Sequence, residues 1–247
     1  MNNTKSKITF SDIHKMYCDF IDLCGKHCAY TISINLQKQK IDECSKYIEN
    51  FKGYKYQAQK RKNEEESNEL FHMQCMLNTM KSSLLLWVKL KEELYHEAWC
   101  HLIDAQEYIV VARKIREYDG LEVFYKKLVA YEDLFPSKKI YNSLAFTETV
   151  GICSVCHKPF YECEHIENNI YMGILCQRVD RQILEAKHLA LVENPRDRRC
   201  IINKMSNKDG VIIDQFTLEE TDEKIEPSDN NLHAKSTIFH FPGLDFS

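Results

Sequence analysis

The stretch from Leu70 to Ile109 reads LFHMQCMLNTMKSSLLLWVKLKEELYHEAWCHLIDAQEYI. Its apolar residues recur every three or four positions: Leu70, Met73, Leu77, Met80, Leu84 and Trp87, then Leu90, Leu94, Ala98, Leu102, Ala105 and Ile109. That is the period of a helix with one buried face. No Gly or Pro occurs from Tyr54 to Asp119, which suits long helices. Glu64 to Asn68 reads as a polar break or a solvated turn. Run as one rod, residues 67–117 would span about 75 Å at about 1.5 Å per residue. A compact protein folds such a stretch back once, whereas a coiled-coil partner lets it stay straight.

The helical pattern extends in both directions. Ser11 stands as N-cap before Ile13, Met16, Tyr17, Phe20, Ile21 and Leu23, a series that ends near Gly25. Leu36, Ile41, Cys44, Ile48 and Phe51 form a second series that stops before Gly53. Gly120 is expected to end the long stretch, and a shorter helix through Leu121, Phe124 and Leu128 stops at Pro136. After about residue 145 the segments shorten and are punctuated by Gly151, Pro159, Gly173, Pro195 and Gly210. Ile170–Cys176, Leu189–Glu193, Arg199–Asn203 and Val211–Phe216 read as strands. Residues 218–230 hold six acids and one lysine and read as a mobile acidic linker. The aromatic run beyond it, Phe239, Phe241 and Phe246, is a docking peptide or a tail strand folded back on its own domain. The expected architecture is mainly α: a long-helix bundle or helical hairpin over 1–145, a small zinc-stabilised α+β module over 146–216 and an acidic tail over 217–247.

The chemistry concentrates in Cys153-Ser-Val-Cys156-His-Lys-Pro-Phe-Tyr-Glu-Cys163-Glu-His165. Cys153-x2-Cys156 puts two sulfurs on one tight turn, each able to reach an ion about 2.3 Å away. Cys163 and His165 alternate about Glu164, so in extended backbone they point to the same side. Thiolate with imidazole selects zinc over hard cations. Four protein ligands leave no open position, which marks a structural rather than a catalytic ion. Cys176 is an alternative fourth ligand in place of Cys163 or His165. The other cysteines (Cys18, Cys24, Cys28, Cys44, Cys75 and Cys100 among the helices) read as small core residues.

Three further strings carry less. Cys153-x2-Cys156-His157 has the form of a c-type haem attachment site, but that chemistry needs export and no export signal is present. Glu69-x2-His72 and Glu93-x2-His96 have the spacing of di-iron ligand pairs, yet no ligand-bearing helix separates them, and they read as solvated polar faces. Tyr54 to Lys62 interleaves aromatics with positive charge, and Arg196, Arg198 and Arg199 cluster beyond the cysteines; either patch can contact phosphate.

The stretch from Phe135 to Cys200, about a quarter of the chain, resembles a family of bacterial proteins with a helical N-terminal half and a C-x2-C-x6-C-x-H zinc module. The residues that carry the likeness are Leu134-Phe-Pro136, Cys153-Ser-Val-Cys156, Cys163-Glu-His165, Tyr171-Met-Gly173, Cys176 and Leu191-Val-Glu-Asn-Pro195. It implies the zinc module and attaches no activity. Glu164-His165-Ile166 beside the first cysteine pair is also similar to the opening of an HNH nuclease finger, where the histidine is a general base and a second histidine or asparagine helps hold a catalytic metal. Here the second C-x2-C is absent, His188 is not suitably spaced, and a His165 that ligates zinc is not free to act as a base. Leu189-Ala-Leu-Val192 with Pro195 resembles the final strand of phage prohead proteases, but Lys187, Ala190 and Arg196 replace that family's residues and carry no protease site over.

Charge and composition frame the function. The net charge of −4 gives no overall positive field toward DNA or anionic lipid, and 44 % apolar content is that of an ordinary globular chain. Eleven cysteines, an odd number, and a polar start without a signal-peptide core make the expected compartment cytoplasmic, with no membrane partner. The expected function is a non-enzymatic zinc-containing interaction or scaffold protein, acting through self-association or a protein partner on the helical half. The alternative is a nucleic-acid-binding or nucleic-acid-processing factor.

Overall fold

The structure is a computed structural model and describes residues 9–226, 233–238, 244 and 246. Five helices come first: α1 Phe10–His27, α2 Ile34–Lys60, α3 Glu64–Lys91, α4 Tyr95–Ile115 and α5 Asp119–Ala130. A 3-10 turn, Tyr131–Leu134, closes the helical part before Pro136. The long stretch turns back at Glu92–Leu94, where Glu93 takes φ 58°, so α3 and α4 form a hairpin and no straight rod exists. Every residue from Leu70 to Met80 is buried. A helix wrapped on all sides needs no polar face, and α3 is such a helix, packed by α2, α4 and α1. Thr79 and Ser83 are accommodated there by donating to the carbonyls of Cys75 and Thr79. The ring of Phe20 stacks on Tyr47 at 3.9 Å and Tyr17 lies 6.1 Å from Phe51, which sets α1 antiparallel to α2.

Several helix ends differ from expectation. The N-cap of α1 is Thr9, not Ser11: Thr9 accepts from Asp12 N, and the Asp12 carboxylate accepts from Thr9 N, a complete capping box. Gly25 and Gly53 lie inside helices, where a Cβ would meet nothing within 4 Å, so each costs only its propensity, about 1 kcal/mol. Arg116, in extended conformation, ends α4, and Gly120 falls in the first turn of α5. Glu64 begins α3; the break lies just before it.

The remainder is strand-rich rather than α+β; among the described residues its one helical feature is a 3-10 turn at Phe160–Glu162. Strands β1 Tyr141–Glu148 and β6 Ile183–Val192 make a two-stranded antiparallel ribbon. Strands β2 Ile152–Cys153 and β5 Arg178–Val179 pair, as do β3 Ile170–Tyr171 and β4 Ile174–Leu175. Thus Ile170–Cys176 is a hairpin, not one strand, and Leu189–Glu193 is the end of a longer one. Strands β7 Ile202–Ser206, β8 Val211–Asp214, β9 Glu220–Lys224 and β10 Ala234–Ser236 form a sheet in the order β10-β7-β8-β9. The acidic stretch is therefore a strand over Glu220–Lys224, because Glu223 pairs with Lys204 at 2.7 Å and with Lys235; residues 227–232 lie outside the described ones. Of the aromatic run, Phe239 and Phe241 also lie outside them, while Phe246 sits 5.2 Å from Tyr108, against the chain's own core.

Several contacts join the strands to the helices, three of them at Arg199, Trp99 and the β3–β4 hairpin. Arg199 is 1 % exposed and its guanidinium meets Glu107 at 2.7 Å, Asp104 at 2.8 Å and Asp197 at 3.0 Å. Trp99 of α4 donates its Nε1 hydrogen to the Arg198 carbonyl at 2.7 Å. The β3–β4 hairpin tip, with Met172 at φ 51° and Gly173 at φ 73° as a type I′ turn requires, lies on the start of α3. Gln59 donates to the Met172 carbonyl at 2.8 Å, and Asn68 Oδ1 accepts from Gly173 N at 2.7 Å.

Candidate metal centre

Cys153 ends β2, and the turn after it carries Cys156. The turn is closed by His157 N donating to the Cys153 carbonyl at 2.9 Å, with His157 at φ 56°. Ser154 stitches it to the later strand: its hydroxyl donates to the Leu175 carbonyl at 2.8 Å and accepts from Gln177 N at 2.9 Å. Gly151 allows the approach, because a Cβ there would lie 2.5 Å from the Val179 carbonyl oxygen. Cys163 follows the 3-10 turn in extended backbone, so that it and His165 face the same way. Tyr171 holds His165 from the hairpin: the rings meet edge-on at 4.5 Å, and Ile166 N donates to the Tyr171 hydroxyl at 3.1 Å.

The four ligand atoms of Cys153, Cys156, Cys163 and His165 all lie within 4.8 Å of one another, a group that can hold a metal ion. Tetrahedral bonds of about 2.3 Å to sulfur and about 2.0 Å to nitrogen demand edges of about 3.5–3.8 Å. The Cys156–Cys163 sulfurs are 3.5 Å apart, and His165 Nδ1 is 3.2 Å from Cys163 and 3.8 Å from Cys153. Backbone donors face the sulfurs: Val155 N lies 3.4 Å from Cys153 Sγ and His165 N 3.2 Å from Cys163 Sγ. Burial opposes ionisation of Cys153, but the N–H groups of Cys156 and Val155 outweigh it and bring its pKa down to about 6.

Cys176 lies outside the group of four. Its sulfur touches Cys153 at 3.7 Å, and burial first, then the Cys153 sulfur beside it, push its pKa up to about 12. Cys200 is elsewhere, donating to the Ile238 carbonyl at 3.5 Å. The carboxylate–histidine pairs of the helices do not converge on an ion. His72 is buried with Nδ1 3.0 Å from the Ala112 carbonyl, Glu69 meets Arg116, and His96 faces the Arg199 carbonyl. Two of the three clustered arginines are committed to carboxylates: Arg199 serves three, and Arg198 pairs with Glu132 at 2.5 Å, while Arg196 is exposed. Lys55 of the other patch is buried over the Phe71 ring. Sequence reading missed Ser154 and Tyr171, whose signal was only their closeness to the cysteines. No described helix is long and apolar enough to cross a membrane. Comparison with protein-family models, with curated proteins and with solved structures finds no match to the chain.

Proposed function

We propose that the chain is a non-enzymatic interaction protein whose strand-rich module is organised by one structural zinc ion. The observation that carries this reading is the donor set, three sulfurs and one imidazole nitrogen gathered within 4.8 Å. Soft donors in that number select zinc and fill a tetrahedron, which leaves no position for a water or a substrate. Bound there, zinc supplies a cross-link. Cys153, Cys156, Cys163 and His165 hold the ion, Ser154 and Tyr171 orient the turns that carry them, and the hairpin places the module on the helices. The helical half supplies the surface for a protein partner or a second copy; Met16 and Leu23 of α1 and Leu36 and Tyr56 of α2 are all at least 40 % exposed.

Elemental analysis of the purified full chain tests the metal. About one zinc per chain is expected, lost in Cys156→Ser together with the protease resistance of residues 150–180. A metal-free chain in which that segment resists protease as well as the helices do would overturn the reading. Light scattering of the full chain tests association, with Leu23→Lys and Tyr56→Lys expected to shift any assembly toward the monomer.

A further inference from the structure

Cys176 is a fifth sulfur beside a site that four donors already close. It is fully buried, 3.7 Å from the equally buried Cys153 sulfur. The sulfurs of Cys156 and Cys163 face each other at 3.5 Å, and both residues are partly exposed. Cys153, Cys156 and Cys163 lie within 4.8 Å of one another, and with Cys176 beside Cys153 the four thiols can close as two pairs, one near solvent and one beneath it. A structural zinc site needs no such neighbour, and Cys176 is the residue that gives Cys153 a partner once the outer pair is gone.

We propose that the two pairs make the metal centre a hydroperoxide-responsive switch, in which Cys156–Cys163 and then Cys153–Cys176 close into disulfides and the zinc is expelled. The proposal rests on the zinc reading above. A zinc-bound thiolate at Cys156 or Cys163 attacks a peroxide oxygen; the S–O bond forms, the O–O bond breaks, and hydroxide leaves. The facing sulfur attacks the sulfenic sulfur, the S–S bond forms and a second hydroxide leaves. Two ligands are then gone, the turn opens, and Cys153 and Cys176 repeat the sequence with a second peroxide. The Cys176 proton goes to one departing hydroxide, so two peroxides give two disulfides, one water, three hydroxides and free zinc. Loss of the ion exchanges a four-ligand cross-link for two disulfides, and residues 153–176 are otherwise held by two-residue strands and the hairpin tip on α3.

The test treats the zinc-loaded full chain with hydrogen peroxide, reads zinc with a colorimetric chelator and maps disulfides by mass spectrometry of peptides. The expected order is a Cys156–Cys163 link, then a Cys153–Cys176 link, with zinc appearing in step and a thiol reductant plus zinc restoring the start. Cys176→Ser is expected to bind the same zinc, form the outer link, and release zinc at least about threefold more slowly, with Cys153 advancing to sulfinic acid. Cys18→Ser should behave as the unaltered chain. The pair Cys24 and Cys44, also 3.7 Å apart but buried between α1 and α2, is the internal comparison. A Cys24–Cys44 link forming before either module link, or Cys176→Ser matching the unaltered chain, overturns the switch. So does zinc retained while Cys156 oxidises, and that result leaves the zinc reading standing. A chain that purifies without metal and keeps residues 150–180 as protease-resistant as the helices overturns both.

Discussion

Every residue from Leu70 to Met80 is buried, whereas from Ile152 to Val179 the buried residues are Cys153, Gly173, Leu175 and Cys176. The first region is held by apolar area, non-directional and shared among many side chains. The second adds little to the core beyond Leu175 and Ile170 and is held chiefly by directed contacts: the sulfur–imidazole group, the Ser154 stitch and the hairpin on α3. A distributed core fails gradually under substitution, and a cross-linked module fails at a point. The largest expected effect follows. Zinc sites in small domains contribute an apparent binding free energy of about 10–16 kcal/mol near neutral pH. A strong chelator should therefore unfold residues 150–180, read as new proteolytic cuts, while the far-ultraviolet signal of the helices persists. Loss of helical signal in step with the metal would mean that the two regions are one cooperative unit.

Arg199 is where that separation is tested next. Its buried guanidinium holds Asp104 and Glu107 of α4 beside Asp197. Removing one partner of a fully buried ion pair costs about 3–5 kcal/mol; the carboxylates around Arg199 are 19–43 % exposed, so the cost here is smaller. Arg199→Met should therefore lower the denaturation midpoint of the helices, although residue 199 lies far beyond them in sequence. The pH dependence sharpens the result. Burial alone would push Asp104 up, but the His101 ring, whose Nδ1 lies 3.4 Å away, and the Arg199 guanidinium outweigh it and hold it below the usual carboxylate range. A depressed carboxylate stabilises above its unfolded pKa, about 3.9, and that stability is lost as pH falls through the folded value. In Arg199→Met one of the two counterweights to burial is lost while His101 remains, so Asp104 is expected to rise from its depressed value and the deficit to shrink as pH falls from neutrality. A deficit constant from pH 7 to pH 4 would remove the ionic explanation.

The difference between the regions also explains what was legible beforehand. The 3–4 spacing from Leu70 to Ile109 marked the helices α3 and α4, because apolar periodicity is a local signal of a burying face, but it left open whether the stretch folds back. It could not show that Gln74, Asn78, Thr79 and Ser83 are buried as well, since that depends on helices lying on every side of α3. Cys153, Cys156, Cys163 and His165 were visible through spacing alone, because ligand geometry is short-range. Cys176 stayed ambiguous because its distance from the other four residues is set by the β3–β4 hairpin. Arg199 shows the same limit: in sequence it reads as part of a basic cluster, and only the fold brings Asp104 and Glu107 of α4 to it. Glycine misled too. Read as a stop at Gly25, Gly53 and Gly120, it proved compatible with helix wherever the flanking turns and open space allowed.

Glycine gives the smallest and most discriminating test, since one added methyl has opposite signs in the two regions. At Gly53, inside α2, a Cβ would meet nothing within 4 Å, and alanine is the better helix former, so Gly53→Ala should raise stability by about 0.5–1 kcal/mol. At Gly173 the backbone is at φ 73°, and a Cβ would lie 2.5 Å from the Ser67 carbonyl oxygen and 3.0 Å from Lys55 Cδ. The left-handed conformation costs an L-residue about 1–2 kcal/mol, and backbone on both sides of the clash prevents cheap relief. Gly173→Ala is therefore expected to cost about 2–4 kcal/mol. The hairpin must lift from α3, which breaks the bond from Gly173 N to Asn68 and weakens that from Gln59 to Met172. Zinc content should not change, because no ligand is touched, while amide exchange at Met172 and Gly173 should accelerate. Equal and small effects at both glycines would show that the module is not fastened to the helices at its hairpin tip.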